Sequence, residues 1–293
     1  MSRYEHVTVL LQEVVQSLKP TIPGVFVDAT LGSGQVLEAV LDATGGDVTG
    51  LGMDVDRAAL EAAGERLGRF GKRVTLVHRN FRDLAEVVRM SGVNAVAGVV
   101  ADLGQSSPQL DGDRGFSFHR DGPLDMRMDA SRGTTAGQLL DCWSETELAS
   151  VLERFAEVPA SRRVAGAIKA ASRAGRLDTT LQLADCVRTV LPRLGNRAVA
   201  QVFQALRIAV NDEIDALDVL LADAPGLLAV GGKMGVVSFH SLESRAVKVR
   251  FRDLEAGGAY RIGSKKAVAP SQQELESNPR SHSSLFRWIE RVA

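Results

Sequence analysis

The chain reads as an α/β protein, a parallel, doubly wound, Rossmann-like sheet with an all-helical domain inserted into it. Three observations predict this architecture. Short apolar runs alternate with helical patterns up to Ala101, the order that builds βαβ units and a parallel sheet. From Thr134 to about Gly195 only helical periodicity is found. Strand-like runs then return around Val236-Val237-Ser238 and again near the end of the chain. The expected division is 1–110 with 205–293 for the sheet domain and 111–204 for the helical insertion.

Each element has a local reason. Val25-Phe26-Val27 is β-branched and aromatic and ends in Asp28 before a glycine-rich turn, which marks the first strand. Val36, Leu37, Val40 and Leu41 then share one helical face. Residues 48–53 form a second strand ending at Asp54, followed by an Ala/Leu/Glu-rich helix over 58–70. Residues 74–77 form a third strand, and Asp83-Leu84-Ala85-Glu86 has capping-box spacing. Residues 93–101 form the fourth strand, long and apolar enough to be buried on both faces.

In the insertion, Ser144 and Glu147 make a capping box ahead of Leu148, Val151, Leu152 and Phe155. Asp178 is expected to cap a helix that Pro192 stops. The stripe Val199, Val202, Phe203, Leu206, Val210, Ile214, Leu217 and Leu221 predicts one long helix over 197–223. Residues 227–238 read as a helix end, a glycine turn and a fifth strand, and 244–254 as another helix. Residues 260–283 are polar and read as an extended loop, and 285–292 alternate as a closing strand.

Composition excludes several classes. The 45% hydrophobic and 24% charged fractions are those of an ordinary globular protein. Cys142 and Cys186 stand far apart without metal-ligand spacing, which argues against a disulfide scaffold and a zinc site, and no metal is expected. Neither a secretory leader nor a bilayer-length apolar run is read, so the expected location is the cytoplasm, with no membrane partner. Net charge is −1, but residues 110–210 carry 14 Lys/Arg against 12 Asp/Glu and residues 240–293 carry 10 against 6. That mild basic surplus is where an RNA-contacting face can be built; solvated helix faces explain it equally well.

The residues that carry chemistry follow the strands, where open α/β sheets bind ligands. Asp28-Ala29-Thr30-Leu31-Gly32-Ser33-Gly34 lets backbone N–H groups face an anion at a helix start. A dinucleotide fingerprint needs a third glycine where Leu37 stands. Asp, three residues and Gly-x-Gly suit S-adenosylmethionine instead, and a tight βα turn is the equal rival. Asp54 is placed to accept both ribose hydroxyls of a nucleoside. Phe81 is a candidate for packing on adenine, although a core Phe is the more common case.

Asp102 ends the fourth strand and is the candidate acceptor for the hydrogens of an exocyclic amine, with Ser106 and Ser107 beside it. Such an amine is barely basic, so positioning is expected to supply most of the rate. Phe239 and His240 follow the fifth strand, the first placed to stack a flipped base and the second to touch phosphate or base. A structural histidine fits His240 as well. Arg162, Arg163, Lys169, Arg173 and Arg176 are candidates for RNA phosphate contacts.

Asp102 to Asp129, Phe203-Gln-Ala-Leu-Arg-Ile208 with Val210-Asn211, Ser238 to Glu243, and Asn278-Pro-Arg280 together resemble the ribosomal RNA small-subunit methyltransferase H family. The similarity runs from His6 to the end of the chain. It implies a class I methyltransferase sheet with a helical insertion, S-adenosylmethionine as donor, and the N4 amine of a cytosine in 16S rRNA of the small ribosomal subunit as acceptor. It places donor contacts on Gly34, Gln35, Val36, Asp54, Phe81, Asp102 and Gln109.

Three positions depart from the family pattern. Gln35-Val36-Leu37 follow Gly34 where the family usually has Gly-His-Ser, Gln201 replaces an Arg, and Pro159 replaces a frequent Arg. The long Gln35 side chain is expected to crowd the methionine end of the donor. An alternative function is a weakened ribosome-binding assembly factor on the same fold. A nicotinamide oxidoreductase is disfavoured by Leu37. The sequence does not decide between monomer and homodimer.

Overall fold

The computed structural model describes residues 8–106, 109–110 and 112–293. Its strands are β1 Gly24–Asp28, β2 Val48–Asp54, β3 Val74–His78, β4 Val96–Asp102, β5 Leu228–Ser238, β6 Tyr260–Ile262 and β7 Leu285–Arg291. They form one sheet in the order β3-β2-β1-β4-β5-β7-β6. The β1, β2, β3, β4 and β5 pairings are parallel, and β7 runs antiparallel to both β5 and β6. The chain steps outward from β1 to β3, then returns to place β4 on the other side of β1. That reversal is the topological switch point of the sheet, where its ligands are expected.

The helices in chain order are α1 Leu11–Leu18, α2 Gln35–Ala43, α3 Arg57–Leu67 and α4 Leu84–Met90, then α5 Ala136–Cys142, α6 Glu145–Ala156, α7 Ser161–Arg173, α8 Thr180–Val190 and α9 Asn196–Asn211, and finally α10 Glu213–Leu227, α11 Ser241–Ala256 and α12 Gln272–Ser277. Two compact units result: residues up to Gly104 with Ile214–Ala293, and Gln105–Glu213. The first unit has an apolar cluster on each face of the sheet, one built on Val27, Met53 and Met234, the other on Phe26, Leu37 and Phe286. The second has its own core, from Leu148, Ile168, Leu183, Val199 and Leu206. Separate cores explain the two units, since each buries its apolar faces internally.

Glycines set how closely the first turn lies on the sheet. A Cβ at Gly52 would come within 2.7 Å of Leu31, and one at Gly50 within 2.9 Å of Leu37. The turn after β1 and the start of α2 therefore rest directly on the β2 backbone. Sequence periodicity finds the strands but not this close approach.

Four local expectations are corrected. The helix over 197–223 is two helices, broken at Asp212, whose φ of 50° is left-handed; Asn and Asp tolerate that conformation better than most residues. Asn211 at the break accepts the Met128 N–H at 2.7 Å, and its Nδ2 donates to Met126 O at 2.8 Å and Arg207 O at 2.9 Å. The unit edges fall at 104/105 and 213/214 rather than at 110/111 and 204/205, because Leu110, Ala205, Leu206 and Val210 pack in the helical core. Residues 260–283 hold β6, α12 and a 3-10 turn rather than a bare loop. Asp83 and Asp178 make no cap: Asn80 accepts the Arg82 N–H, and Thr179 forms the capping box with Gln182. The Ser144 box forms with both its hydrogen bonds.

Asn211→Ala removes two hydrogen bonds that hold the 126–128 segment and one to Arg207 O, so it is expected to cost about 2 kcal/mol of unfolding free energy. Urea denaturation followed by circular dichroism measures this. An unchanged midpoint contradicts the stapling role.

Candidate active site

The parallel register brings three carboxylates together. Asp28 pairs with Gly52 on β2 and with Val100 on β4. Asp54 and Asp102 therefore stand two residues further along the flanking strands, and the two-residue period puts all three side chains on one face. They lie at the carboxyl ends of β2, β1 and β4, across the switch point. Among the described residues none of the three pairs with a lysine, arginine or histidine.

Backbone donors hold two of them in place. Asp54 accepts the Gly32 N–H and the Asp56 N–H, both at 2.8 Å. Asp28 accepts the Thr30 N–H at 3.2 Å. The Thr30 hydroxyl in turn takes the Asp102 N–H at 2.6 Å, tying the end of β4 to the turn after β1. Asp102 Oδ1 is buried without a hydrogen-bond partner, and so is Ser33 Oγ in the same turn. Orphaned buried polar atoms are costly, and these two stand at the carboxyl ends of adjacent strands.

Burial of like charges changes the carboxyls. Burial pushes Asp28 up to about 7, and Asp54 beside it adds to the rise against the Thr30 N–H. Burial likewise takes Asp54 up to about 6, opposed by the Asp56 and Gly32 N–H groups. Asp102 is raised well above the carboxylate range by burial first, then by Asp28 and Glu243.

The glycine turn precedes α2. Gly34, at φ 81°, is its N-cap, and α2 opens with Gln35, Val36 and Leu37. The Gln35 side chain does not crowd this turn as expected. Its Oε1 accepts the Thr8 N–H at 3.0 Å and the Thr8 hydroxyl at 2.9 Å, so it ties the segment before α1 to α2. Phe81 begins the 3-10 turn after β3, capped by Asn80, and is half-buried against the core cluster.

After β5, the Phe239 ring lies against the Gly104 backbone, where a Cβ would come within 3.0 Å of it. His240 is the N-cap of α11, a role that the spacing His240-Ser-Leu-Glu243 signals. Its Nδ1 accepts the Glu243 N–H at 3.5 Å, while Glu243 Oε2 takes the Phe239 N–H at 2.8 Å and the His240 N–H at 3.3 Å. His240 Nε2 lies 3.1 Å from Glu243 Oε1. The structural alternative for this histidine therefore has direct support.

The structure thus gathers Gly34, Gln35, Val36, Asp54, Phe81, Asp102, Phe239 and His240 at the ends of β1 to β5, and adds Asp28 and Ser33, which sequence reading used only as part of a turn. Gln109 belongs to the helical unit, where its Oε1 accepts the Ser106 N–H at 3.1 Å. Ser107 lies outside the described residues, as does His6.

Comparison with known proteins identifies the family. The profile of the MraW methylase family matches residues 3–292. The chain belongs to the MraW methylase family. A relative from Sorangium cellulosum, named ribosomal RNA small subunit methyltransferase H, is 47% identical over 98% of this chain and 91% of its own length. One of the same name from Geotalea uraniireducens is 39% identical over the whole of both chains. A solved structure described as a putative rRNA-methylase from Clostridium thermocellum is similar at 12% identity and a TM-score of 0.45, covering 98% of each chain. The strand order itself is what makes the sheet of this methylase a class I methyltransferase fold.

In the helical unit of this methylase the basic residues divide. Arg162, Arg173 and Arg176 are exposed. Arg163 donates to the Val190 carbonyl. Lys169 is corrected as an RNA contact: it is 5% exposed, and its Nζ donates to the Leu140 carbonyl and, at 3.1 Å, to that of Asp141, closing the end of α5. Gln201, at the position of the family's Arg, donates to Ala156 O at 3.0 Å. Among the described residues no helix is long and apolar enough to cross a membrane.

Asp28 and Asp54 are raised in the fold above their ordinary values, so they favour folding while protonated and lose that contribution as pH climbs through about 6 and about 7. The ligand-free methylase is expected to melt several degrees lower at about pH 8 than at about pH 5. Asp28→Asn is expected to shrink that difference. Scanning calorimetry across the pH range checks both, and a melting temperature that stays flat or rises contradicts the crowding of the carboxylates.

Proposed function

We propose that this methylase transfers a methyl group from S-adenosylmethionine to the N4 amine of a cytosine in the decoding region of 16S rRNA, within the small ribosomal subunit in the cytoplasm. The observation that carries the reading is the set of three uncompensated carboxylates at the switch point, which suits a cationic nucleoside ligand. The relatives' names, with their small-subunit rRNA, supply the substrate class.

The residues present fit that donor. Ser33 Oγ and Asp102 Oδ1 are buried and unpartnered, and Gly32 and Gly34 carry no Cβ on either side of Ser33. The donor supplies an electrophilic methyl on a cationic sulfur; the chain supplies placement. Backbone N–H groups of Gln35 and Val36 at the start of α2 hold the carboxylate of the methionine end, and Gly34, whose own N–H goes to Leu31 O at 2.8 Å, presents no Cβ against it. Asp28 answers its ammonium. Asp54 keeps lone pairs beyond those used by Gly32 and Asp56, and these accept the ribose hydroxyls. Phe81 packs on the adenine.

Asp102 accepts hydrogens of the cytosine amine and aligns its nitrogen, which is where positioning contributes most to rate. Phe239, fixed against Gly104, stacks the extruded base, and His240 orders the turn that presents it. Gln109 shapes the segment after β4 through its bond to Ser106. Exposed Arg162, Arg173 and Arg176 contact RNA phosphates, which position the substrate without reading its sequence. The weakened-binder alternative loses its motive, because the Gln35 side chain is engaged by Thr8.

Comparison of small-subunit rRNA from cells with and without the gene tests the assignment. N4 methylation of one decoding-region cytosine is expected to vanish on deletion and to return with the intact gene; unchanged modification overturns it. Asp54→Asn keeps one carbonyl acceptor but loses the charge and half the acceptor capacity. It is expected to weaken donor binding at least about tenfold, or ~1.4 kcal/mol, by titration calorimetry. Undiminished affinity contradicts the role given to Asp54.

A further inference from the structure

The proton that an amine loses on methylation needs a destination, and the site contains a candidate. Asp102 Oδ1 is buried and has no hydrogen-bond partner. Among the described residues the charged groups that raise it are both negative. Asp28 faces it from β1 and Glu243 from the start of α11, while Asp54 stands beyond Asp28 on β2. His240, at the start of α11, has its Nε2 3.1 Å from Glu243 Oε1, although without hydrogen-bond geometry. In the turn after β1 the Thr30 hydroxyl takes the Asp102 N–H, and Ser33 Oγ has no partner. A carboxylate in such surroundings is costly in the ionised form, and a positive charge entering the same enclosure reverses that balance.

We propose that Asp102 holds a proton in the donor-free protein, surrenders it when the cationic donor enters, and takes one back when that positive charge has been consumed. The inference rests on the donor site proposed above and deepens it, because it makes Asp102 the proton acceptor of the reaction. Methyl transfer forms a C–N bond and breaks an S–C bond whose electron pair stays on sulfur. The nitrogen is left with one proton too many, and that proton passes to Asp102 Oδ1. The site is thereby reset for exchange of product against fresh donor, with release of one proton per cycle.

The linkage is measured without turnover. S-Adenosylmethionine and S-adenosylhomocysteine share their adenosine, ammonium and carboxylate groups, so the difference between them isolates the sulfonium charge. Titration calorimetry of the full chain near neutral pH, in two buffers of different ionisation enthalpy, counts the protons released by each. The sulfonium compound is expected to release about one proton more than the thioether, and Asp102→Asn is expected to bind both with that difference abolished.

A second measurement needs no variant. The affinity of the wild-type chain for the sulfonium compound relative to the thioether is expected to rise about tenfold per pH unit while Asp102 is protonated. Equal proton counts for the two ligands, an affinity ratio independent of pH, or an unaltered difference in Asp102→Asn overturns the proposal and leaves the donor site standing. Failure of both ligands to bind overturns the donor site and the proposal with it.

Discussion

Three carboxylates crowd the carboxyl ends of β1, β2 and β4 with no cation among the described residues to answer them, and much of the sheet unit is arranged to make that tolerable. Desolvation raises all three, with further repulsion from Asp54 at Asp28, from Asp56 at Asp54, and from Asp28 and Glu243 at Asp102. Backbone N–H groups offset part of the cost at Asp28 and Asp54. Asp102 receives no such help on its carboxylate. A fold that keeps such a feature bears a stability penalty near neutral pH, which the proposed cationic ligand would offset. This is the common pattern in which an active site violates the rules the rest of the molecule obeys.

The same ends of the strands show how scaffold and site share residues. Thr30 bonds both Asp28 and the β4 backbone, so the turn that faces the ligand also locks two strands in register. Gly50 and Gly52 let Leu37 and Leu31 rest on β2, which fixes the height of the glycine turn over the sheet. Glu243 caps α11 while adding negative charge toward Asp102. The helical unit is organised separately, around Asn211 and the Arg207 pair with Glu213 at 2.8 Å, in which both side chains are largely buried. The polar loop 112–129 is therefore largely scaffold, with Phe116, Leu124 and Met126 in the helical core.

Much of this was legible because its causes are local. A β-branched run ending in Asp signals a strand and its carboxyl end, so Asp28, Asp54 and Asp102 could be placed without coordinates. The Ser144 capping box is likewise readable from spacing alone. What escaped depends on partners distant in sequence. Lys169 sits on a helix face that looks solvated by pattern, yet its Nζ reaches carbonyls 28 and 29 residues away. Gln35 resembles an obstruction until Thr8 takes its side chain. The break at Asp212 is hidden because the apolar stripe keeps its phase across one left-handed residue. The capping role of His240 was readable from its spacing to Glu243, but an imidazole N-cap is uncommon enough to be passed over.

The carboxylates at the switch point are proposed to hold a positively charged nucleoside. A crystal structure of the chain soaked with S-adenosylmethionine addresses it most directly. The ribose hydroxyls are expected on Asp54, the amino-acid end at the start of α2, and the sulfonium within reach of the Asp102 carboxylate. Density for the nucleoside elsewhere, or a bound ligand that leaves Asp54 contacting only Gly32 and Asp56, contradicts it.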